Sequence, residues 1–434
     1  MNKIKGNILS VSLYGKEICK IQWVGGYKEK FGKQGAKISF NPEYKDYGFD
    51  ADPLGEFSLQ KYFVQKGLSQ ICHANNNYEG LPRFLSGSLP DDWGNEVLSK
   101  WMEANDINPG EITAVDKLAF IGTRGMGGFE FTPSQYEPAE DNVELEGLYE
   151  LAKEIVASRE GVALNLQDNP SKNDIISVGV SAGGKHPKAI IAINWETGAV
   201  RSGQISLPKG FIHYILKFKD PDILYTAEVE FVFYQMATEC GIDMEKSQLL
   251  PISGDNHFLT ERFDRKNGKK LHSATLNSLY GNVDRYEDIF TVCRKLNVPY
   301  YDKEQLFMRA VFNYIAGVTD DHDKNFSFIM HEDGKWRISP AYDVTFTVNY
   351  INRFKGDRHV MSIGFEDTLK SREQLLNLAR TNDIHNAESI IDNIIKVLES
   401  FEQKARDANI DQPLINIISQ HIRDQITTLN DPNR

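Results

Sequence analysis

The first ninety residues alternate apolar and polar positions in short runs. "ILSVSLYG" (8–15) and "KEICKIQWVGG" (16–26) keep a period of two and are parted by a glycine, the pattern of a β-hairpin. After Pro90 the period changes. "DDWGNEVLSKWMEAN" (91–105) reads as a helix with Asp91 or Asp92 at its N-cap. "IGTRGMGGFEF" (121–131) is a glycine-rich connection into a short strand, and the acidic, proline-bearing run 133–144 is a linker. A helix near 145–157 is followed by buried strands at "KAIIAIN" (188–194) and "HYILKF" (213–218). "AEVEFVFYQMATECG" (227–241) predicts a helix closed by Gly241, and "HFLTERFD" (257–264) a further strand.

From about 283 the pattern is mostly helical. Asp302 and Gln305 stand at capping-box spacing ahead of an apolar face formed by Leu306, Phe307, Ala310, Val311, Tyr314 and Ile315, which reads as core. "FSFIMHEDGKWRISP" (326–340) predicts a hairpin turning at Asp333-Gly334, and amphipathic helices are expected over 385–409 and 412–429. A β-rich half followed by a helical half predicts an α+β fold in two lobes.

Composition narrows the function. With 49 Lys and Arg against 61 Asp and Glu the net charge is -12, which disfavours a direct grip on duplex DNA and suits a basic partner. Cys19, Cys72, Cys240 and Cys293 are scattered and form no CxxC pair, so neither a zinc site nor a disulfide framework is expected. The chain shows no long apolar run and no signal-peptide pattern at its start, and the expectation is a cytoplasmic protein with no membrane partner.

One stretch stands out chemically. "TDDHDKNFSF" (319–328) crowds acids, a histidine, a lysine and an asparagine between an apolar helix and an apolar strand. Asp343 follows Asn325 by 18 residues, beyond the predicted hairpin, so both side chains are expected to face one small volume. Hard oxygen ligands of this type suit Mg²⁺, which keeps waters and takes one or two carboxylates plus substrate phosphates. Asp320 would then accept a proton from an attacking hydroxyl. An Asp, an Asn five residues on and an Asp beyond a hairpin form the layout of kinase-type phosphoryl transfer. His322 reads as a structural residue of the loop, with Lys324 beside it. Lys217 lies on the strand face opposite Leu216 and Phe218, where it can meet nucleotide phosphates, and Glu230 of the next helix is its candidate partner. "SVGVSAGGKHPKA" (177–189) offers Gly183 and Gly184 for close backbone approach to phosphate, with Lys185 and Lys188 adding charge.

The stretches "SAGGKHPKA", "HYILKF", "AEVEFVFYQMATECGI", "LTERFDR", "GVTDDHDKNFSF" and "SPAYDVTFT" occur in the order found in HipA-type serine/threonine kinases, the toxin half of HipBA toxin–antitoxin systems. The chain resembles that family over nearly its whole length, including "VSLYGKEICKI" and "GSLPDDWGNEVL" near the start. The resemblance implies a two-lobed kinase using ATP and Mg²⁺. Residues 1–140 would form an N-terminal β-rich subdomain, 141–264 the N-lobe with the phosphate-binding loop, and 265–434 the helical C-lobe with the catalytic loop. It implies Asp320 as catalytic aspartate, Asn325 and Asp343 as metal ligands, and Lys188 and Lys217 as phosphate contacts. Glu261 and Phe263 would meet adenine through their backbone, and Ser181 matches the position of inactivating autophosphorylation. It further implies a protein substrate such as an aminoacyl-tRNA synthetase and a small helix-turn-helix antitoxin of HipB type, with DNA reached only through that antitoxin. Asp321 and Asp323 replace small residues of the family's loop, which adds negative charge beside the expected metal. The same residues leave open a pseudokinase-like regulator acting with an antitoxin, a small-molecule kinase, and a metal hydrolase on Asp320, His322 and Asp343.

Overall fold

The computed structural model describes residues 8–25, 35–61, 69–71, 77–135, 143–158, 186–203, 207–220, 223, 225–266, 268–348 and 357–431. The opening alternation forms β1 (Leu9–Leu13) and β2 (Lys16–Val24), an antiparallel pair. Tyr14 and Gly15 both hold positive φ between them, as a tight two-residue hairpin turn requires. With β3 (Gly35–Phe40), β4 (Ser69–Ile71) and β5 (Phe129–Thr132) they build a five-stranded sheet in the order β4-β3-β2-β1-β5.

A second sheet is entirely antiparallel. Its strands are β6 (Lys188–Asn194), β7 (Ala199–Ser202), β8 (Ile212–Lys217), β9 (Ser247–Ile252) and β10 (Asp255–Glu261), in the order β7-β6-β8-β10-β9. A short ribbon, β11 (Arg265–Lys266) and β12 (Lys269–Lys270), leads into a three-stranded sheet of β13 (His272–Thr275), β14 (Ser327–Met330) and β15 (Trp336–Ile338). The β14–β15 hairpin turns at Asp333-Gly334 as expected, with Gly334 at φ +78.

Two apolar cores organise these layers. The larger joins the first sheet, through Leu9, Val11, Ile21 and Phe131, to the helical lobe, through Phe233, Phe290, Phe307 and Ile391. The smaller packs the helices Asp92–Ala104 and Leu145–Ser158 onto one face of the second sheet, with Trp93, Trp101, Leu148 and Ile155 against Ala189, Ile191, Tyr214 and Leu216. Each fully buried side chain of this size contributes about 1.5–3 kcal/mol. Burying one face by alternation leaves the other face of β6 and β8 to carry Lys188 and Lys217.

Helix ends follow local chemistry in most places. Asp91 caps Asp92–Ala104 by accepting the Gly94 N–H at 2.9 Å. Gly241, at φ +92, follows the helix Thr226–Glu239 where Ile242 N–H turns back to Ala237 O. Two expectations fail in detail. The long C-lobe helix spans Tyr300–Ala316 and starts behind Pro299, so Asp302 is not its cap. Asp302 and Gln305 are buried and spend their side chains on tertiary partners: Asp302 takes Arg337 and the Ile338 N–H, and Gln305 accepts from Asp243 N–H and donates to Gly241 O. The expected helix over 385–409 is two, Ala387–Leu398 and Phe401–Asp407, parted where the Ser400 hydroxyl donates to Val397 O. A helix at Arg372–Thr381, capped by Ser371, had no expectation at all. Among the described residues no helix is long and apolar enough to cross a membrane.

Candidate active site

Lys188 and Lys217 face each other directly across β6 and β8, so their side chains leave the sheet on the same side. The helix Thr226–Glu239 lays Glu230 beneath them, and Lys217 Nζ donates to Glu230 Oε1 at 2.5 Å. Lys217 also bonds Asp343, which arrives from the helical lobe. Burial disfavours the Lys217 ammonium, but Asp343 and Glu230 outweigh it and hold its pKa above the ordinary lysine value. Burial pushes the Asp343 carboxyl up, and the charges of Lys217 and Lys188 reverse this, holding it down at about 2. Burial lowers the Lys188 pKa against the raising effect of Asp343 and Asp91.

Asp343 occupies the left-handed region, φ +54, which is uncommon for a residue with a side chain. Its loop is tied on both sides. Ala341 N–H donates to Asp243 O at 2.7 Å, and the Tyr342 hydroxyl donates to Lys324 O at 2.7 Å. Phe263 stacks on the Tyr342 ring with centroids 5.9 Å apart, so the chain leaving β10 runs beside Asp343. The Glu261 N–H pairs with Lys246 O in the sheet.

The residues expected to form a catalytic loop come from the turn after the helix Tyr300–Ala316, which Gly317 closes at φ +78. Asn325 Nδ2 donates to the Asp320 carbonyl at 2.9 Å. This leaves Asn325 Oδ1, the oxygen that a hard cation needs. Asn325 and Asp343 line one cavity of about 20 Å³, together with Arg309, Asn313 and Tyr342. The Asp320 side chain is exposed. His322 Nδ1 lies 3.3 Å from the Lys324 N–H, and the His322 carbonyl accepts the Asn325 N–H at 2.9 Å, so His322 braces the turn. The Lys324 side chain is exposed. Ser181, Gly183 and Gly184 lie outside the described residues.

The two extra acids of the loop do different things. Asp321 is buried, and its carboxylate accepts from the Tyr286 hydroxyl, Val360 N–H and Met361 N–H at 2.8–3.0 Å and meets His359 Nδ1 at 2.9 Å. Asp323 accepts from Asn277 Nδ2 at 2.8 Å. Both carboxylates are thus engaged by protein groups. Thr347 had no part in the expectations. Its hydroxyl accepts the N–H of Thr319 at 2.7 Å and of Asp320 at 3.1 Å, fixing the backbone that carries Asp320. A lone Thr four residues past Asp343 carries no sequence signal for this. Equally unforeseen is the buried cluster at the lobe connection. Asp264 takes two bonds from Arg262, one from Arg265 and the Gly127 N–H, while Arg265 donates to the Gly125 and Gly127 carbonyls. The charges of the two arginines outweigh burial and hold the Asp264 carboxyl well below the usual range. The cluster anchors the glycine-rich run 121–131, and at Gly127 a Cβ would sit 2.9 Å from Ser273 O.

The donor set fits Mg²⁺. Asn325 and Asp343 supply hard oxygens from two loops, and Lys188 and Lys217 face each other on the adjoining sheet. Among the described residues no three His, Cys, Asp or Glu side chains gather as a metal cage, which a hydrolase on Asp320, His322 and Asp343 needs.

Comparison with known proteins bears on the same region. The HipA-like C-terminal domain family matches residues 180–405, more than half of the chain. The chain belongs to this family. Among curated relatives, "Putative kinase" of Haemophilus influenzae is 27% identical over 151 residues, covering 30% of this chain and 44% of that protein. "Putative kinase Y4mE" of Sinorhizobium fredii is 23% identical over 297 residues, covering 62% of this chain and 64% of that protein. The chain therefore spans 44% to 64% of the length of these relatives. A solved structure of the Shewanella oneidensis MR-1 toxin–antitoxin system HipA, HipB and its operator DNA complex matches over 97% of this chain and 96% of that one. Its TM-score is 0.63 at 16% identity, a likeness of fold. The fold is the two-lobed, kinase-like α+β arrangement of HipA.

Proposed function

We propose that this HipA-like protein is an ATP- and Mg²⁺-dependent serine/threonine protein kinase. The observation that carries the reading is the Lys217 bridge. One ammonium holds both the helix glutamate Glu230 and the loop aspartate Asp343, and Asp343 shares a cavity with Asn325. Asn325 and Asp343 would hold the metal ion, which spreads charge over the transferring phosphoryl when bound. Lys188 and Lys217 orient the phosphates. Asp320 takes the proton of the attacking hydroxyl, and Thr347 holds its backbone in register.

The relatives named as kinases and the fold of HipA support this reading, and we include in it the division into an N-terminal subdomain (1–140), an N-lobe (141–264) and a C-lobe (265–434). We extend it to a toxin–antitoxin toxin with a HipB-like antitoxin, a translation-related protein substrate such as an aminoacyl-tRNA synthetase, and inactivating phosphorylation at Ser181. Asp320→Asn, expected to keep the fold, should abolish phosphoryl transfer from Mg-ATP to protein in a lysate, read by phosphopeptide mapping. Transfer at the wild-type rate in that variant ends the assignment. One observation favours a second reading, a catalytically weak regulator: Lys217 lies on the carboxylate that the metal needs. Wild-type protein that binds Mg-ATP yet transfers no phosphoryl to any protein would select it.

A further inference from the structure

The chain that leaves β10 is held by residues that precede the matched region 180–405. The Arg262 N–H still reaches β8, at His213 O, 2.9 Å away, and Phe263 follows it. On either side of Phe263, Arg262 and Asp264 are buried and joined by two guanidinium–carboxylate bonds of 2.8 Å. The same carboxylate accepts from Arg265 at 2.8 Å and from the Gly127 N–H at 2.6 Å. Arg265 in turn donates to Gly127 O at 3.1 Å and to Gly125 O at 2.7 Å. The glycine run fits its seat because it lacks side chains. Gly127 stands at φ +72, where a Cβ would meet Ser273 O at 2.9 Å and Ser273 N at 3.0 Å, and a Cβ on Gly128 would sit 3.1 Å from His272 Cα. His272 and Ser273 belong to β13, which pairs with β14 just after Asn325. A second tie lies in the β1–β2 turn, where the Tyr14 hydroxyl accepts the His272 N–H at 3.0 Å and donates to Met330 O.

Buried ion pairs are weak sources of stability, because desolvation offsets most of their attraction and apolar side chains can hold the same surfaces together. What a carboxylate with four donors adds is direction. Those donors fix the Asp264 oxygens, and with them the backbone on both sides of Phe263. That backbone aims the Phe263 ring at Tyr342, stacked at 28° with centroids 5.9 Å apart. The Tyr342 hydroxyl donates to Lys324 O at 2.7 Å and lies 2.6 Å from the Ser327 hydroxyl, and Asp343 is the next residue. The lobe connection, the Asn325 turn and the Asp343 loop therefore meet at one pair of rings.

We propose that Asp264 and Arg265 are positioning residues for the lobe connection, locking the backbone around Phe263 to the glycine run at 125–127 so that the N-terminal subdomain sets how the adenine side of the nucleotide site is presented. The proposal rests on the kinase reading above for its nucleotide. Glu261 and Phe263, whose backbone would meet adenine, move with the knot, and Tyr342 carries the same displacement to the metal side.

The test uses the full chain and attacks the knot from both ends. Arg265→Met removes the bonds to Gly125 and Gly127 and keeps the Arg262–Asp264 pair, so no buried charge is stranded. Gly127→Ala lifts the run from β13 and alters no charge. Far-UV circular dichroism checks folding, and where only one variant folds it decides alone. Mg-ATP affinity by calorimetry should fall roughly three- to tenfold in each. In a Phe263→Leu background the further loss should be under about twofold. By hydrogen-exchange mass spectrometry, amides 262–266 should exchange faster while those of the helix Tyr300–Ala316 keep their rate. Wild-type affinity or unchanged exchange at 262–266 in a folded variant overturns the proposal. So does a loss of affinity equal with and without Phe263, or exchange that rises as much in the helix as at the connection. Wild-type protein that binds no Mg-ATP, with exchange still faster at 262–266 alone in the variants, overturns the kinase reading and leaves the hold of the knot on the lobe connection standing.

Discussion

The two walls of the candidate site are built by different physics. The lysine wall is a strand face. Alternation along β6 and β8 sends Ala189, Ile191, Tyr214 and Leu216 into the smaller core, and Lys188 and Lys217 must then point the other way, where Glu230 and Asp343 compensate them. The acidic wall is irregular backbone. Residues 317–325 have no ladder to hold them and are pinned by side chains from distant segments: Thr347 on Thr319 and Asp320, His359 and Tyr286 on Asp321, Asn277 on Asp323. One wall is held by its own period, the other by borrowed partners. A charge change should therefore damage the first wall most, and loss of a single hydroxyl the second.

The severest test of the lysine wall is Lys217→Met. It strands Glu230 and Asp343 without their shared cation, so phosphoryl transfer should fall by about three orders of magnitude and stability by about 3–5 kcal/mol. Transfer assays and urea unfolding measure the two losses separately. Unfolding that shifts by less than about 1 kcal/mol would show that the bridge is not what seats Asp343.

Acid should unsettle the same sheet. His257 on β10 is wholly buried, and its Nδ1 accepts the Lys219 N–H at 2.9 Å, a bond that only the neutral ring can make. Burial lowers its pKa from 6.5 to about 4. Between those values the unfolded chain binds a proton that the folded one refuses, so stability is lost as pH falls from 6.5 towards 4, by about 3 kcal/mol for this group. His257→Gln should flatten that dependence in unfolding midpoints taken at pH 7 and pH 5.

On the acidic wall, Thr347→Val leaves the amides of Thr319 and Asp320 without their acceptor. The expected cost is about 2 kcal/mol, with kcat down at least tenfold and the KM for ATP nearly unchanged. Thr347→Ser keeps the hydroxyl and should restore most of the rate. If Val and Ser behave alike, the hydroxyl is not the clamp. The smallest effect is expected at Asp323, whose side-chain partner Asn277 is half-exposed. Asp323→Ala should shift stability by less than about 0.5 kcal/mol and leave transfer near wild type, checked by the same unfolding and transfer assays.

The extra acids of "TDDHDKN" show where reading residues in order runs out. Read in order, they add two negative charges beside the expected metal. The fold instead turns Asp321 inward to His359 and two backbone amides, 38 to 40 residues away along the chain, and gives Asp323 to Asn277. Asp302 and Gln305 teach the same lesson, since capping-box spacing is a local signal and both side chains were claimed by partners across the lobe.

Sequence alone determined the hairpins at 8–24 and 327–338, the strands β6, β8 and β10 of the second sheet and the face on which Lys217 stands, but not β7 and β9. Alternation, turn glycines and apolar stripes are properties of neighbouring residues, and burial of one face dictates the other. Tertiary structure decided the rest: the left-handed backbone at Asp343, the Thr347 clamp, the Arg262–Asp264–Arg265 knot and the bond from Trp93 to the Lys188 carbonyl. Apart from the pairs inside the knot, which are neighbours in sequence and reach far only through Gly125 and Gly127, each depends on a polar group buried far along the chain from its partner. Only closure of the cores brings such groups within hydrogen-bond range, and no local pattern announces it.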